Sequence, residues 1–189
     1  MGKKAVAARL LKRLGILSLA AAVRAHQASA VTILAYHRVL DLPGEETFPY
    51  DVELVSASVE DFARQMKYVK EHFTPISFAD LLGFQDRGEN PPRGSAIVTF
   101  DDGFTDNYYN AFPVLKALQV PATIFLATGY LDRQEQYWYE KLTYAVMTTR
   151  MAQTAIPGLG SIPVGETVLA RRQAVKRLLE PEEVAELVV

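Results

Sequence analysis

The chain has 189 residues, with 20 Lys plus Arg, 22 Asp plus Glu and no cysteine. This length suits one domain or part of one, and 49% hydrophobic with 22% charged residues excludes a disordered polypeptide, a coiled coil and a collagen-like repeat. The missing thiols exclude disulfides, a thiolate zinc site and a cysteine nucleophile, and a net charge of −2 gives no global field to attract nucleic acid.

We expect residues 1–30 to be an N-terminal helix or leader, and it is basic because no acidic residue occurs before Asp41. Its apolar stretch, 14–23, is about half of the roughly 20 residues that a membrane span needs. Three interpretations stay open: a signal peptide cleaved after Ala30, a membrane-surface helix, and a helix packed on the domain or on a partner. They favour a cell-envelope location or peripheral membrane contact through residues 1–30, and a cytoplasmic location stays open.

The body of the chain begins with an apolar, β-rich run at 31–36, which predicts a buried strand ending at His37. The acidic segment 41–50, with two prolines, predicts a loop. Ser58 opens a capping-box-like sequence. The helix that it predicts runs to about Glu71 and buries residues at helical spacing, namely Phe62, Met66 and Val69.

Strands and helices continue to alternate, which predicts an α/β fold with a parallel sheet. In chain order we expect a strand at 73–78, a short helix with Ser77 as its N-cap, a loop at 87–94, a strand at 96–100, a helix at 110–118 and a strand at 120–127. Residues 130–189 predict an aromatic helix from Tyr137, a Gly/Pro-rich loop at 156–165, a basic amphipathic helix at 168–179 and a last helix from Glu182 that the chain leaves in mid-pattern.

The candidate for chemistry is Asp101-Asp102-Gly103, at the end of the predicted strand 96–100. Adjacent carboxylates there repel each other and lose solvation, so the pair makes sense beside a cation or with one carboxylate acting as a base. In a parallel α/β barrel the C-terminal ends of the strands form the active-site face. An Asp-Gly turn in which Asp102 caps the next helix stays open on the residues alone.

The context of this motif closely resembles the polysaccharide deacetylase family, the NodB-homology domain of carbohydrate esterase family four. The resemblance lies in 97–104, in Asn107-Tyr108 and in 120–129, and 34–39 resembles the first strand of its envelope-associated branch. It implies an incomplete, distorted (β/α) barrel. It also implies metal-dependent removal of N-acetyl groups from an amino-sugar polysaccharide or oligosaccharide, and no nucleic-acid partner is expected.

The resemblance assigns roles to three residues. Asp101 corresponds to the general base and Asp102 to a ligand of a divalent metal, with zinc as the expected ion. Such a cation polarises the acetamide carbonyl and lowers the pKa of bound water, and a carboxylate that is not a ligand can take the proton. His37 is expected to line the same site, although a structural, hydrogen-bonded histidine stays open; His26 and His72 are not expected to be ligands.

Much of the family's metal site has no counterpart in this sequence. No histidine follows His72, so the family's paired-histidine motif is missing, and a catalytic zinc normally takes three protein ligands. The family's later Arg-containing motif and C-terminal catalytic histidine are missing too. We therefore expect 31–189 to be the N-terminal portion of a deacetylase domain, truncated before the His motif and inactive as a fragment.

Two other functions compete with that of a deacetylase. A non-catalytic carbohydrate-binding or assembly partner of a split deacetylase remains the alternative. A glycoside hydrolase that uses Asp101 and Asp102 is disfavoured, because adjacent residues of a strand point to opposite faces and cannot flank one glycosidic bond.

Overall fold

A computed structural model describes residues 30–131, 133, 135–156 and 160–179. The leader hypothesis for 1–30, apart from Ala30, and the predicted helix from Glu182 lie outside the described residues. The described chain divides into two compact units. The first comprises 30–39 and 59–126, and the second comprises 40–58 and the described residues from 127 onward.

Eight strands and five α-helices make up these units. In chain order they are β1 (Thr32–Tyr36), β2 (Arg38–Val39), β3 (Val55–Ala57), α1 (Val59–His72), β4 (Thr74–Pro75), α2 (Phe78–Asp86), β5 (Ser95–Asp102), α3 (Phe112–Leu118), β6 (Ala122–Leu126), α4 (Trp138–Thr148), β7 (Gln153–Ile156), β8 (Gly160–Pro163) and α5 (Val168–Leu179). One turn of π-helix at Asn107–Ala111 precedes α3, so that helix starts two residues later than predicted.

The first unit is built on a parallel sheet with β5 at its centre. β1 pairs with one edge of β5, from Thr32 opposite Ala96 to Tyr36 opposite Phe100. β4 and β6 pair in succession along the other edge. The predicted α/β fold with a parallel sheet is therefore confirmed, and within the described residues these four strands form an open sheet.

The core of this unit lies between β5 and α1. Residues 95–100 of β5 are buried, as a strand covered on both faces requires. The predicted apolar stripe of α1 is confirmed: Phe62 and Met66 are fully buried, and the Phe62 ring meets the edge of Tyr36 at a centroid distance of 5.2 Å. The Tyr36 hydroxyl donates to Gln65 Oε1 at 2.7 Å, and burial raises the pKa of this phenol.

The N-terminus of α2 is closed by the predicted Ser77 cap. The Ser77 hydroxyl accepts from the Asp80 backbone N–H, and the Asp80 carboxylate accepts from both the hydroxyl and the N–H of Ser77. These bonds, the one from the hydroxyl first, hold the pKa of Asp80 below its ordinary value. The predicted strand 73–78 shortens to β4, because Ser77 and Phe78 are taken up by the start of the helix.

The second unit contains α4 and α5, which pack through a buried apolar cluster of Val146, Val164, Ala174, Val175 and Leu178. The basic helix predicted at 168–179 is confirmed. The loop predicted at 156–165 is wrong in part, because β7 and β8 pair antiparallel from Gln153 opposite Pro163 to Ile156 opposite Gly160. Gly and Pro are tolerated in an isolated hairpin, where each strand has a free edge.

Among the described helices, none has the length and apolar character that a membrane crossing requires.

Candidate active site

The predicted site residues lie at the C-terminal edge of the parallel sheet. Asp101 and Asp102 are the last two residues of β5, and His37 directly follows β1. Because β1 and β5 are parallel and pair from Thr32 to Tyr36, their C-terminal ends meet at the same edge. Both carboxylates therefore lie at the partly exposed end of a strand that is otherwise buried.

The structure brings His37 and Asp101 together. His37 Nε2 lies 3.9 Å from Asp101 Oδ2, and each side chain is 39% exposed. This separation is longer than a hydrogen bond but short enough for electrostatic interaction. The prediction that His37 faces the Asp101 end of the sheet agrees with this geometry, whereas its role in catalysis stays a prediction.

Asp102 has an unusual backbone conformation. Its φ angle is 69°, in the left-handed region, and Gly103 follows with a φ of 75°. The Gly103 N–H donates to the Asp101 carbonyl at 2.9 Å, which closes a tight γ-turn around Asp102. A Cβ at position 103 would clash only with the end of the exposed Leu126 side chain, which can move aside, so glycine is favoured here mainly by the positive φ.

The segment after this turn contains three polar residues that the sequence analysis missed. Asp106 Oδ1 accepts from the Val39 N–H and Oδ2 from Arg38 Nε, both at 2.9 Å. The Asn107 side-chain amide donates to the His37 carbonyl at 2.7 Å, and that of Asn110 donates to the Val39 carbonyl at 2.9 Å. The pattern Asp-Asn-x-x-Asn directly after Asp101-Asp102-Gly103 was the available signal.

These polar groups are well protected from solvent. Asp106 and Asn107 are buried, and the Arg38 guanidinium also lies over the Phe104 ring, 4.6 Å from its centroid. We call Asp106, Asn107 and Asn110 the 106–110 clamp, since together they hold the backbone of 37–39. This clamp fixes the segment that carries His37.

The described residues do not complete a metal site. Within the ranges that the structure describes, no three His, Cys, Asp or Glu residues are grouped so that they could hold an ion. The ring of His72 stacks on Tyr68 at a centroid distance of 4.1 Å. Asp102 alone does not fit a catalytic zinc, which takes about three protein ligands.

Comparison with known proteins connects this site to one family. Residues 88–157 match the family model "Polysaccharide deacetylase". The chain is 29% identical over 116 residues to a poly-beta-1,6-N-acetyl-D-glucosamine N-deacetylase of Staphylococcus aureus, covering 58% of this chain and 40% of the relative. A Staphylococcus epidermidis protein of the same description is 28% identical over 113 residues, covering 56% of this chain and 39% of the relative.

Two solved structures are also similar to part of this chain. IcaB from Ammonifex degensii has 27% identity and a TM-score of 0.48, covering 58% of this chain and 43% of that one. The deacetylase PplD from Streptococcus pyogenes has 24% identity and a TM-score of 0.49, covering 61% and 51%. The chain thus spans about 40% of the length of its curated relatives. The resemblance is confirmed: the stretch that contains Asp101-Asp102-Gly103 is similar to the polysaccharide deacetylase family.

Proposed function

We propose that this chain carries the base-bearing part of a polysaccharide N-deacetylase that acts on an amino-sugar polymer. The observation that carries the proposal is the position of Asp101, exposed at the C-terminal edge of a parallel sheet and 3.9 Å from His37. Its motif lies inside the stretch that matches the family. The curated relatives are described as deacetylases of poly-beta-1,6-N-acetyl-D-glucosamine, which supports an N-acetylated amino-sugar polymer as the substrate class.

In the proposed reaction, Asp101 is the general base. A water oxygen forms a bond to the acetyl carbon while one water proton passes to the Asp101 carboxylate. The bond between the acetyl carbon and the sugar nitrogen then breaks, and the proton passes from Asp101 to that nitrogen, which gives acetic acid and an amine; the acid then loses its remaining proton to the amine, leaving acetate and an ammonium group. His37 lies beside the carboxylate, where it can orient Asp101 or the attacking water.

Asp102 is proposed as one ligand of the divalent metal, expected to be zinc, that the family resemblance implies. When bound, that ion would polarise the acetamide carbonyl. Because the described residues do not supply the other ligands, we propose that activity needs a segment beyond the ones described here. The 189-residue chain by itself should release little or no acetate from N-acetylglucosamine oligomers.

The test is a chain extended by the segment that supplies those ligands. Asp101→Asn should lower its kcat by about 10²- to 10⁴-fold, the usual contribution of a general base, and leave metal content unchanged. Asp102→Asn should instead lower metal affinity, measured by titration with zinc. Asp86→Asn, at an exposed aspartate that ends α2, is the matched control and should leave both unchanged.

Two outcomes would contradict the proposal. Robust zinc-dependent acetate release by the pure 189-residue chain would show that its own residues complete the site. Normal turnover by the Asp101→Asn variant would show that Asp101 is not the base.

The alternative, an assembly partner of a split deacetylase, has one observation in its favour. Strand β6 exposes Ile124, Phe125 and Leu126 by 45%, 50% and 51%, so both of its faces lack full cover. A second polypeptide that completes the sheet would bury them. Co-purification with such a polypeptide, together with sugar binding in the absence of metal, would favour this function over a self-contained enzyme.

A further inference from the structure

The distance between His37 and Asp101 is not set by a bond between them. At 3.9 Å the two atoms are too far apart for a hydrogen bond, and both side chains are partly exposed. Whatever rotamers the two side chains adopt, their separation also depends on where the backbones at 37 and 101 lie. Asp101 is fixed as part of the central strand β5, so the position of the pair depends on what holds the backbone at His37.

The 106–110 clamp holds that backbone on the C-terminal side of the His37 Cα, while pairing of β1 with β5 holds the N-terminal side. Asn107 binds the His37 carbonyl, Asp106 binds the next-but-one N–H at Val39, and Asn110 binds the Val39 carbonyl. The ion pair between Asp106 and Arg38 adds a charged contact that is mostly buried. The clamp comes from the segment directly after Asp101-Asp102-Gly103, so it ties the turn at the carboxylates to the end of β1.

The asparagine at position 107 lowers the stability of the fold in one respect. The residue is 2% exposed, and its Oδ1 is a buried side-chain oxygen that has no hydrogen-bond partner among the described residues. An unsatisfied buried acceptor destabilises a fold, and an apolar residue of the same shape would remove it, although the His37 carbonyl would then lose the Asn107 donor. Keeping an amide here makes sense if its single bond to the His37 carbonyl is needed for position.

We propose that Asp106, Asn107 and Asn110 are positioning residues that set the His37–Asp101 pair by clamping the backbone of 37–39. The inference rests on the proposed function in which Asp101 is the base. The clamp acts on the reaction through His37 and Asp101 and does not itself contact the acetyl group.

The experiment uses NMR on the full 189-residue chain. It measures how far the signals of the His37 ring shift when the Asp101 side chain is changed. The His37 ring signals are assigned with His37→Gln. Their displacement on Asp101→Asn is then recorded at one fixed pH in four backgrounds: the unaltered chain, Asn107→Leu, Asn110→Ala and the control Asn90→Ala. Asn90 is an exposed asparagine in the loop before β5. Urea unfolding of each variant reports stability separately.

We expect Asn107→Leu and Asn110→Ala to reduce the displacement at least twofold, and Asn90→Ala to leave it unchanged. The urea midpoint of Asn107→Leu should change little, because removal of the unsatisfied Oδ1 offsets loss of the donor to the His37 carbonyl. A reduced displacement in a variant that stays folded is a result that a purely structural asparagine would not give. An unchanged or larger displacement in the folded clamp variants overturns the proposal, as does no displacement in the unaltered chain. Unfolding of both clamp variants would assign the clamp to stability and overturn it too.

The outcome does not depend on turnover. If the extended enzyme proves inactive while the clamp variants lose the His37 response, the proposed function fails and the positioning role stands. If the extended enzyme is active and the clamp variants keep the His37 response, the proposed function stands and the positioning role fails.

Discussion

At the scale of single residues, Asp102, the proposed metal ligand, has a strained backbone conformation. A non-glycine residue in the left-handed region costs about 1–2 kcal/mol, and such outliers concentrate at functional sites. Asparagine and aspartate tolerate this region better than alanine, because their short polar side chains hydrogen-bond locally. Aspartate can therefore occupy position 102 of the γ-turn, but the fold is less stable than it would be without this strain.

Three substitutions at Asp102 should separate conformation from charge. Asp102→Ala should be less stable than Asp102→Asn by about 1 kcal/mol, because alanine is poorer in the left-handed region. Asp102→Gly should match or exceed the stability of Asp102→Asn, since glycine adopts positive φ without strain. Free energies of unfolding in urea give the ranking, and equal stability of the alanine and asparagine variants would show that residue 102 is not left-handed in solution.

At the scale of elements, α4 depends on a side chain from α5 to close its C-terminus. Arg171 Nη1 donates to the carbonyls of Val146, Met147 and Thr149 at 3.2, 2.8 and 2.7 Å. The last carbonyls of a helix lack intrahelical donors, and a cation at this end also interacts favourably with the helix dipole. Because Arg171 belongs to α5, the hydrogen bonds that close the C-terminus of α4 depend on the packing of α5 against α4.

Arg171→Ala should destabilise the second unit by about 1–3 kcal/mol, the range for losing a charged donor to partly buried carbonyls. Arg177→Ala, at an exposed basic residue of the same helix, should change stability by less than about 0.5 kcal/mol. Thermal and urea unfolding, followed by circular dichroism, measure both. Similar losses for the two variants would mean that general charge on α5, and not the cap on α4, is responsible.

At the scale of the whole molecule, the open parallel sheet leaves apolar strands exposed. The centre of β5 is buried, while Ile33 on β1 and Phe125 on β6 are 54% and 50% exposed. Unpaired, apolar edge strands are templates for association with other chains, and only closure of a barrel removes such edges. The described part of the chain therefore presents surfaces that favour self-association.

We expect the purified chain to associate, and Phe125→Lys to shift it toward monomer because a charge on an edge strand opposes strand pairing. Size-exclusion chromatography with light scattering at several concentrations measures the effect. Leu169→Lys is the matched control, since Leu169 is an exposed apolar residue on α5 and not on the sheet. A monomer with one sharp unfolding transition before any substitution would contradict the expectation.

Local patterns were enough to place most elements. The stripe of Phe62, Met66 and Val69 located α1, and the Ser77 cap located the start of α2. Both succeed because helical periodicity and capping depend on residues only three or four positions apart. The β7–β8 hairpin was missed since Gly and Pro near 157–163 are typical of loops, and the register of two short strands is decided by their pairing.

The sequence by itself determined the α/β fold class, the carboxylates at the end of β5 and the family resemblance around them. Only the tertiary structure decided that His37 lies 3.9 Å from Asp101, that Asp102 is left-handed, and that Asp106, Asn107 and Asn110 hold the end of β1. For the contacts of His37, Asp106, Asn107 and Asn110, the physical reason is separation along the chain. These contacts join residues more than 60 positions apart, and they form because parallel pairing of β1 with β5 brings the two strand ends to one edge.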